Sequence, residues 1–271
     1  MGHVNRSQYR KLPFQGGDPR LVAEVVNNLV EGKSNNFGEV TLDTSWALST
    51  TLYDERIGFD SVILLMPISD AAETATAPYG DFISTTQQLA PSSGNTAVVT
   101  WDSTHEADGI YLDSLNDSRL YVRNGGIYDV IFTLQLANSN NDAEYADVWF
   151  RVNGSDIAES GRRFGLPARK STGDPSHLTG TANHVLDLNA GDYIEIAGAT
   201  SSTAVSLETF AATTTTPYTR PAIGSAQATI SYIAPYSMDN VYISAQQKGQ
   251  ATITHFANDT ANRTYRYIIV G

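Results

Sequence analysis

Apolar residues recur at helical spacing near the start of the chain. Leu21, Val22, Val25, Val26, Leu29 and Val30 follow Asp18 and Pro19. Asp18 can accept hydrogen bonds as an N-cap, Pro19 sits where a missing N–H is harmless, and Gly32 can end the helix in a left-handed turn. The spacing predicts a helix over 19–31 whose apolar stripe packs against strands or against a neighbouring copy. From there on the pattern is one of short apolar runs and alternation, which predicts strands. Candidates in the first quarter are 40–42, 45–48 and 61–66. Further on they are 96–101, 109–112, 119–122, 126–137, 145–152, 185–188, 193–197, 202–208 and 226–233, and finally 241–244, 251–254 and 264–270. Turn clusters separate them, among them Asn124-Gly125-Gly126, Asn153-Gly154 and Asn189-Ala190-Gly191-Asp192. Many short strands at this spacing predict a mainly β protein, a sandwich or barrel.

Two stretches interrupt the pattern. Residues 71–78 and 233–236 lack periodicity and carry proline. The residues after the second stretch are too few to fold alone without cysteines, so their strands are expected to complete a sheet begun by residues 38–67. The organisation that follows is a docking arm (1–17), a discontinuous β domain (18–77 with 235–271) and a β domain inserted into it (78–234).

Composition narrows the partners. Twenty-nine acidic residues against 17 basic ones give a net charge of −12. Such a chain is repelled by phosphate backbones and anionic bilayers, so neither nucleic acid nor membrane is an expected partner. The longest apolar run, 62–67, is far short of a membrane helix, and no apolar stretch follows Met1 to Arg6 as a secretory leader would require. There is no cysteine, which removes disulfides, thiolate zinc sites and thiol nucleophiles together.

Three pieces in the middle of the chain resemble one family. Gly126-Ile127-Tyr128-Asp129-Val130 resembles the G-x-Y-x-hydrophobic strand of the C1q/TNF-like jelly roll. Val148 to Gly154 is similar to that family's next strand, which ends in an Asn-Gly turn. Leu186 to Ile196 is similar to its L-x-L-x-x-G-D-x-hydrophobic-x-hydrophobic strand pair. More narrowly, the stretch from Tyr79-Gly80-Asp81-Phe82 to Arg220-Pro221-Ala222-Ile223 resembles jelly-roll modules in structural proteins of tailed bacteriophages. The flanks, Phe59 to Pro67 and Val241 to Ser244 with Gly249 to Gly271, resemble the two halves of a phage domain that receives such inserts. Leu12 to Pro19 resembles the attachment end of head or tail fibre proteins. The resemblance implies a homotrimer located in the virion: a head fibre or decoration protein whose partners are capsid, portal or tail proteins. Its alternatives are an accessory tail or collar fibre, or a lectin-like module that adheres to host surface glycans. The sequence departs from animal C1q proteins in lacking a collagen-like stalk and cysteines, so no immune or hormone role is implied.

Candidate chemistry is sparse, and no enzymatic activity is expected. There is no G-x-S-x-G elbow, no G-x-G-x-x-G and no P-loop. Of five histidines only His177 and His184 lie near one another, and neither fits a zinc motif. No cofactor is expected. The acidic groups Asp102/Glu106/Asp108, Asp113/Asp117 and Asp142/Glu144/Asp147 offer oxygen ligands for a structural Ca²⁺ or simply solvated charge. Two candidate interaction sites remain. The basic, aromatic N-terminal segment, with Tyr9, Arg10, Leu12 and Phe14, has the makeup of an arm that orders on an acidic virion partner. Arg162, Arg163, Arg169 and Lys170 gather in what reads as a surface loop, either solvated with local salt bridges or suited to an acidic polysaccharide or a neighbouring acidic subunit. Trp101, Tyr111, Tyr121, Trp149 and Phe150 suit either sugar stacking or packing.

Overall fold

The computed structural model describes residues 5–6, 11–15, 17–31, 35–69, 77–89, 95–215, 218–234, 241–258 and 262–271. It is mainly β with one N-terminal helix, the class expected from the sequence. The chain divides into two compact units, residues 1–75 with 237–271 and residues 76–236.

The first unit is built from both ends of the chain. Its elements, numbered through the whole molecule, are β1 (Asn5–Arg6), α1 (Pro19–Val30), β2 (Phe37–Thr41), β3 (Ala47–Tyr53) and β4 (Val62–Pro67), then β19 (Tyr242–Gln247), β20 (Gln250–Asn258) and β21 (Thr264–Val270). One sheet has the order β1-β2-β21-β4, the other β19-β20-β3, all antiparallel. The last strand of the chain is therefore the centre of a sheet whose flanks come from its first quarter. Val40, Leu42, Tyr265, Tyr267 and Ile269 from one sheet and Leu52, Ala251 and Ile253 from the other share one core with Ile57. Gly38 has a packing reason: a Cβ there would lie 2.2 Å from the Tyr267 ring. Strand β3 starts at Ala47 rather than at 45, because Ser45 and Trp46 both adopt positive φ in the bend before it.

Helix α1 starts as its sequence predicts. Asp18 Oδ1 accepts from the backbone N–H groups of Arg20 (2.8 Å) and Leu21 (2.9 Å). It ends one residue earlier than expected, at Val30, with Glu31 as cap; Gly32 lies outside the described residues. None of its side chains is buried.

The second unit is a jelly roll. Its strands are β5 (Tyr79–Ser84), β6 (Gln88–Leu89), β7 (Ala97–Val98), β8 (Ser103–Asp108), β9 (Ile110–Leu112), β10 (Leu120–Val122), β11 (Gly126–Asn138), β12 (Glu144–Val152), β13 (Ser155–Asp156), β14 (Arg162–Leu166), β15 (Ser176–Leu188), β16 (Tyr193–Thr200), β17 (Val205–Leu207) and β18 (Ala226–Ala234). One sheet runs β15-β11-β18-β5-β8, with β17 and β6 continuing alongside β11. The other runs β14-β12-β16-β10-β9, with β13 and β7 as short additions. The chain passes repeatedly from sheet to sheet, so facing residues of β11 and β12 meet in the core: the Phe132 and Phe150 ring centroids are 5.2 Å apart. Tyr128, Val130, Leu134, Ile194, Ile196 and Trp101 of the same unit are buried too.

Candidate functional site

Several residues of the quoted motifs secure the turns and the strand start at one corner of the jelly roll. Gly126 has φ +151°, and a Cβ there would fall 2.3 Å from the Tyr232 ring. That ring meets Tyr128 edge-on at 5.2 Å, and Tyr128 Oη donates to Asn124 O at 2.6 Å. Burial pushes the Tyr128 phenol above its ordinary range, so it stays a neutral donor. Asn153 (φ 52°) and Gly154 (φ 77°) form the two-residue turn between β12 and β13. Asn153 Nδ2 donates to Asp192 Oδ1 at 2.8 Å, while Asp192 Oδ2 accepts from the Asn189 backbone N–H at 2.7 Å. Burial raises the Asp192 pKa, but these hydrogen bonds outweigh it and hold the carboxyl below its usual value. The motifs thus secure a corner where two hairpin turns meet.

Next to that corner lies the outward face of the β14-β12-β16-β10-β9 sheet. Register places Tyr111, Tyr121 and Tyr193 side by side in one row. Tyr111 and Tyr121 stack at 5.4 Å, and Tyr121 and Tyr193 meet at 5.2 Å. Arg123 covers the outer ring of Tyr111 at 4.0 Å and Arg119 covers Tyr193 at 4.5 Å. The adjoining row pairs Arg119, Glu195, Arg151 and Asp156. The buried Glu195 carboxylate accepts from Ser118 Oγ at 3.0 Å and from Arg119 Nε at 3.5 Å. Asp156 accepts from Arg151 Nε and from Trp149 Nε1, which hold its carboxyl below the usual range. Because the ring faces of Tyr111 and Tyr193 are already covered, this strip presents phenol edges and guanidinium edges rather than open platforms.

The predicted basic loop is not a loop at its start. Arg162 and Arg163 belong to edge strand β14, paired with β12. Arg163 grips Asp147 with two 2.7 Å hydrogen bonds and lies 4.1 Å over Tyr145, extending the tyrosine and arginine face by one more pair. Arg162 turns back on the carbonyls of Glu159 and Gly161, and Arg169 donates to Ser139 O at 3.1 Å. Lys170 follows on the connection beyond β14, so the four do not converge on one point. Of the arm residues, Leu12 is exposed and Phe14 fully so; Tyr9 and Arg10 lie outside the described residues. Of the aromatic candidates Trp101 and Phe150 are core, whereas Tyr111, Tyr121 and Trp149 are half-exposed on the face just described. His177 and His184 stand an odd number of residues apart on β15 and so point to opposite sides of the sheet. Among the described residues no three His, Asp or Glu side chains are grouped to hold a metal ion. Arg119 and Arg123, which complete the tyrosine row, were missed by sequence reasoning; their i and i+4 positions around β10 were the available signal.

No model of a known protein family matches the chain, and no curated protein matches it.

Proposed function

We propose that the protein is a structural component of a tailed-bacteriophage virion, a homotrimeric head fibre or decoration protein anchored by its first unit and displaying the jelly roll outward. The observation that carries this reading is the chain path. Both ends interleave in one small sandwich, and the jelly roll is a closed insert between them. A unit built this way can be fixed to a particle while the insert folds and is presented as a separate body. The resemblance of the quoted motifs to phage jelly-roll modules supplies the location. The trimer draws support from Tyr79, Ile131, Val185 and Ile233, exposed on the outward face of the β15-β11-β18-β5-β8 sheet. The role is mechanical and adhesive: buried interfaces and a presented surface. Deleting residues 1–17 tests the anchoring: the truncated protein is expected to fold but to be lost from phage particles, and normal incorporation would refute it.

A second reading, adhesion to host surface glycans, is favoured by the row Tyr111, Tyr121 and Tyr193 with its flanking arginines. Saturable binding to a glycan array that disappears in Tyr121→Ala would establish it.

A further inference from the structure

Among its described residues, the first unit leaves two apolar surfaces exposed. One is a sheet face. Along β4 and the residue after it, Val62, Leu64, Met66 and Ile68 alternate outward and are exposed by 55, 56, 56 and 41%. Register sets Leu64 beside Ile268 and Phe37 in one row and Val62 beside Val270 in the next. A groove of about 110 Å³ opens among Phe37, Leu64, Met66 and Ile268. The Arg266–Glu39 pair at 2.7 Å closes the third row, so its charges are already matched. The other surface is the stripe of α1, where Val22, Val26, Leu29 and Val30 are exposed and Leu21 and Val25 half-exposed.

The two surfaces fit one another. Each is a run of neighbouring exposed apolar side chains, the kind of surface that marks an interaction site. A 12-residue helix is about 18 Å long, and the outward residues of β4 from 62 to 68 span about 20 Å. The polar side of the helix, with Arg20, Glu24 and Asn27, would stay in water. Residues 31–36 are enough chain to lay the helix over its own sheet, yet within one chain no residue of the helix is buried.

We propose that α1 of each copy lies on the β2-β21-β4 face of a neighbouring copy, with Leu29 and Val26 seated over the groove between Leu64 and Met66. Each chain supplies one helix and one face. In the trimer proposed above the contact runs head to tail, the helix of one copy on the face of the next, and three such contacts related by a threefold axis cover every helix and every face. This rests on the homotrimeric reading above and adds to it where the copies are joined.

The chain has no cysteine, so introduced ones report cleanly. Full-length V26C and L64C proteins, mixed under mild oxidation, are expected to yield a disulfide-linked pair of chains, and the V26C/L64C double variant a ladder of linked chains. Leu64→Glu is expected to weaken self-association at least tenfold by light scattering. A double variant that closes on itself at the mass of one chain, with no linkage in the mixture, overturns the proposal in favour of a helix covering its own sheet. Absence of any linkage in protein that scatters as a trimer overturns this contact and leaves the trimer standing. A mass near 29.3 kDa overturns both.

Discussion

Tyr267 Oη donates a 2.7 Å hydrogen bond to Asp54 Oδ2 across 213 positions of sequence. Arg56 completes the group: its Nε reaches Asp54 Oδ1 at 2.9 Å and its Nη2 the carbonyl of Phe37 at 3.3 Å. The group joins the last strand to the first part of the chain, so it reports on whether the ends hold one another. Tyr267→Phe, which keeps the ring and leaves a buried carboxylate one donor short, should destabilise the unit by about 1 kcal/mol. Asp54→Ala, which strands both partners, should cost about 3 kcal/mol. Denaturant unfolding of both variants against the parent measures this.

Acid should loosen this unit in two windows. Burial would raise the Asp54 pKa, but hydrogen bonds from the Arg56 side chain and backbone and from Tyr267, with the Arg56 charge, hold it at about 2. An unfolded Asp titrates near ~3.9, so the stability that Asp54 contributes is complete above that pH and is lost as pH falls towards about 2. His255 lies below its ordinary pKa, chiefly through burial and also through the Arg263 charge, against the Phe256 and Ser49 backbone and the Asp43 charge. Its Nδ1 donates to Phe256 O at 2.7 Å, and its Nε2 accepts from Thr50, which itself accepts from Asp43 N–H. The neutral ring is the folded form, so stability begins to fall once pH drops below about 6.5. Melting temperatures from pH 8 to pH 2 should decline in both windows, and Asp54→Asn should flatten only the lower one.

Glycine substitutions should separate packing from mere exposure. Gly38→Ala puts a Cβ 2.2 Å from the Tyr267 ring and should cost about 2 kcal/mol by displacing it from Asp54. Gly126→Ala adds unfavourable backbone to a clash with Tyr232 and should do at least as much damage to the jelly roll. Gly165→Ala meets nothing within 4 Å and should change stability by less than about 0.5 kcal/mol. Thermal unfolding of the three variants gives the ranking.

The tyrosine row should be separable from the fold. Tyr121→Ala removes the middle ring, exposes the inner faces of Tyr111 and Tyr193, and should cost about 1 kcal/mol. Circular dichroism should stay that of the parent.

The elements with a strong local pattern were legible in the sequence. Helix α1 announced itself by Asp18, Pro19 and the stripe after them, and β21 by its alternation, because both carry strong local signals. The edges were not. Strand β8 reads Ser-Thr-His-Glu-Ala-Asp and β14 opens on two arginines; as sheet edges they have a polar face and gain from charge that discourages further pairing. The first half of β15 was missed for the same reason, since Thr179, Thr181 and Asn183 face outward on another edge. The charged and aromatic face of the jelly roll was half legible. Tyr111 and Tyr121 stood out as aromatics, but their union with Tyr193, and that of Arg119 with Glu195, depends on strand register across 72 to 82 residues, which no local pattern encodes.

The most direct test of the proposed virion role is imaging of purified tailed-phage particles assembled with the protein. Three copies per site are expected, with residues 1–75 and 237–271 against the particle and the jelly roll outermost. Particles that lack the polypeptide, or that bind it through the jelly roll with its termini free in solvent, would contradict the account.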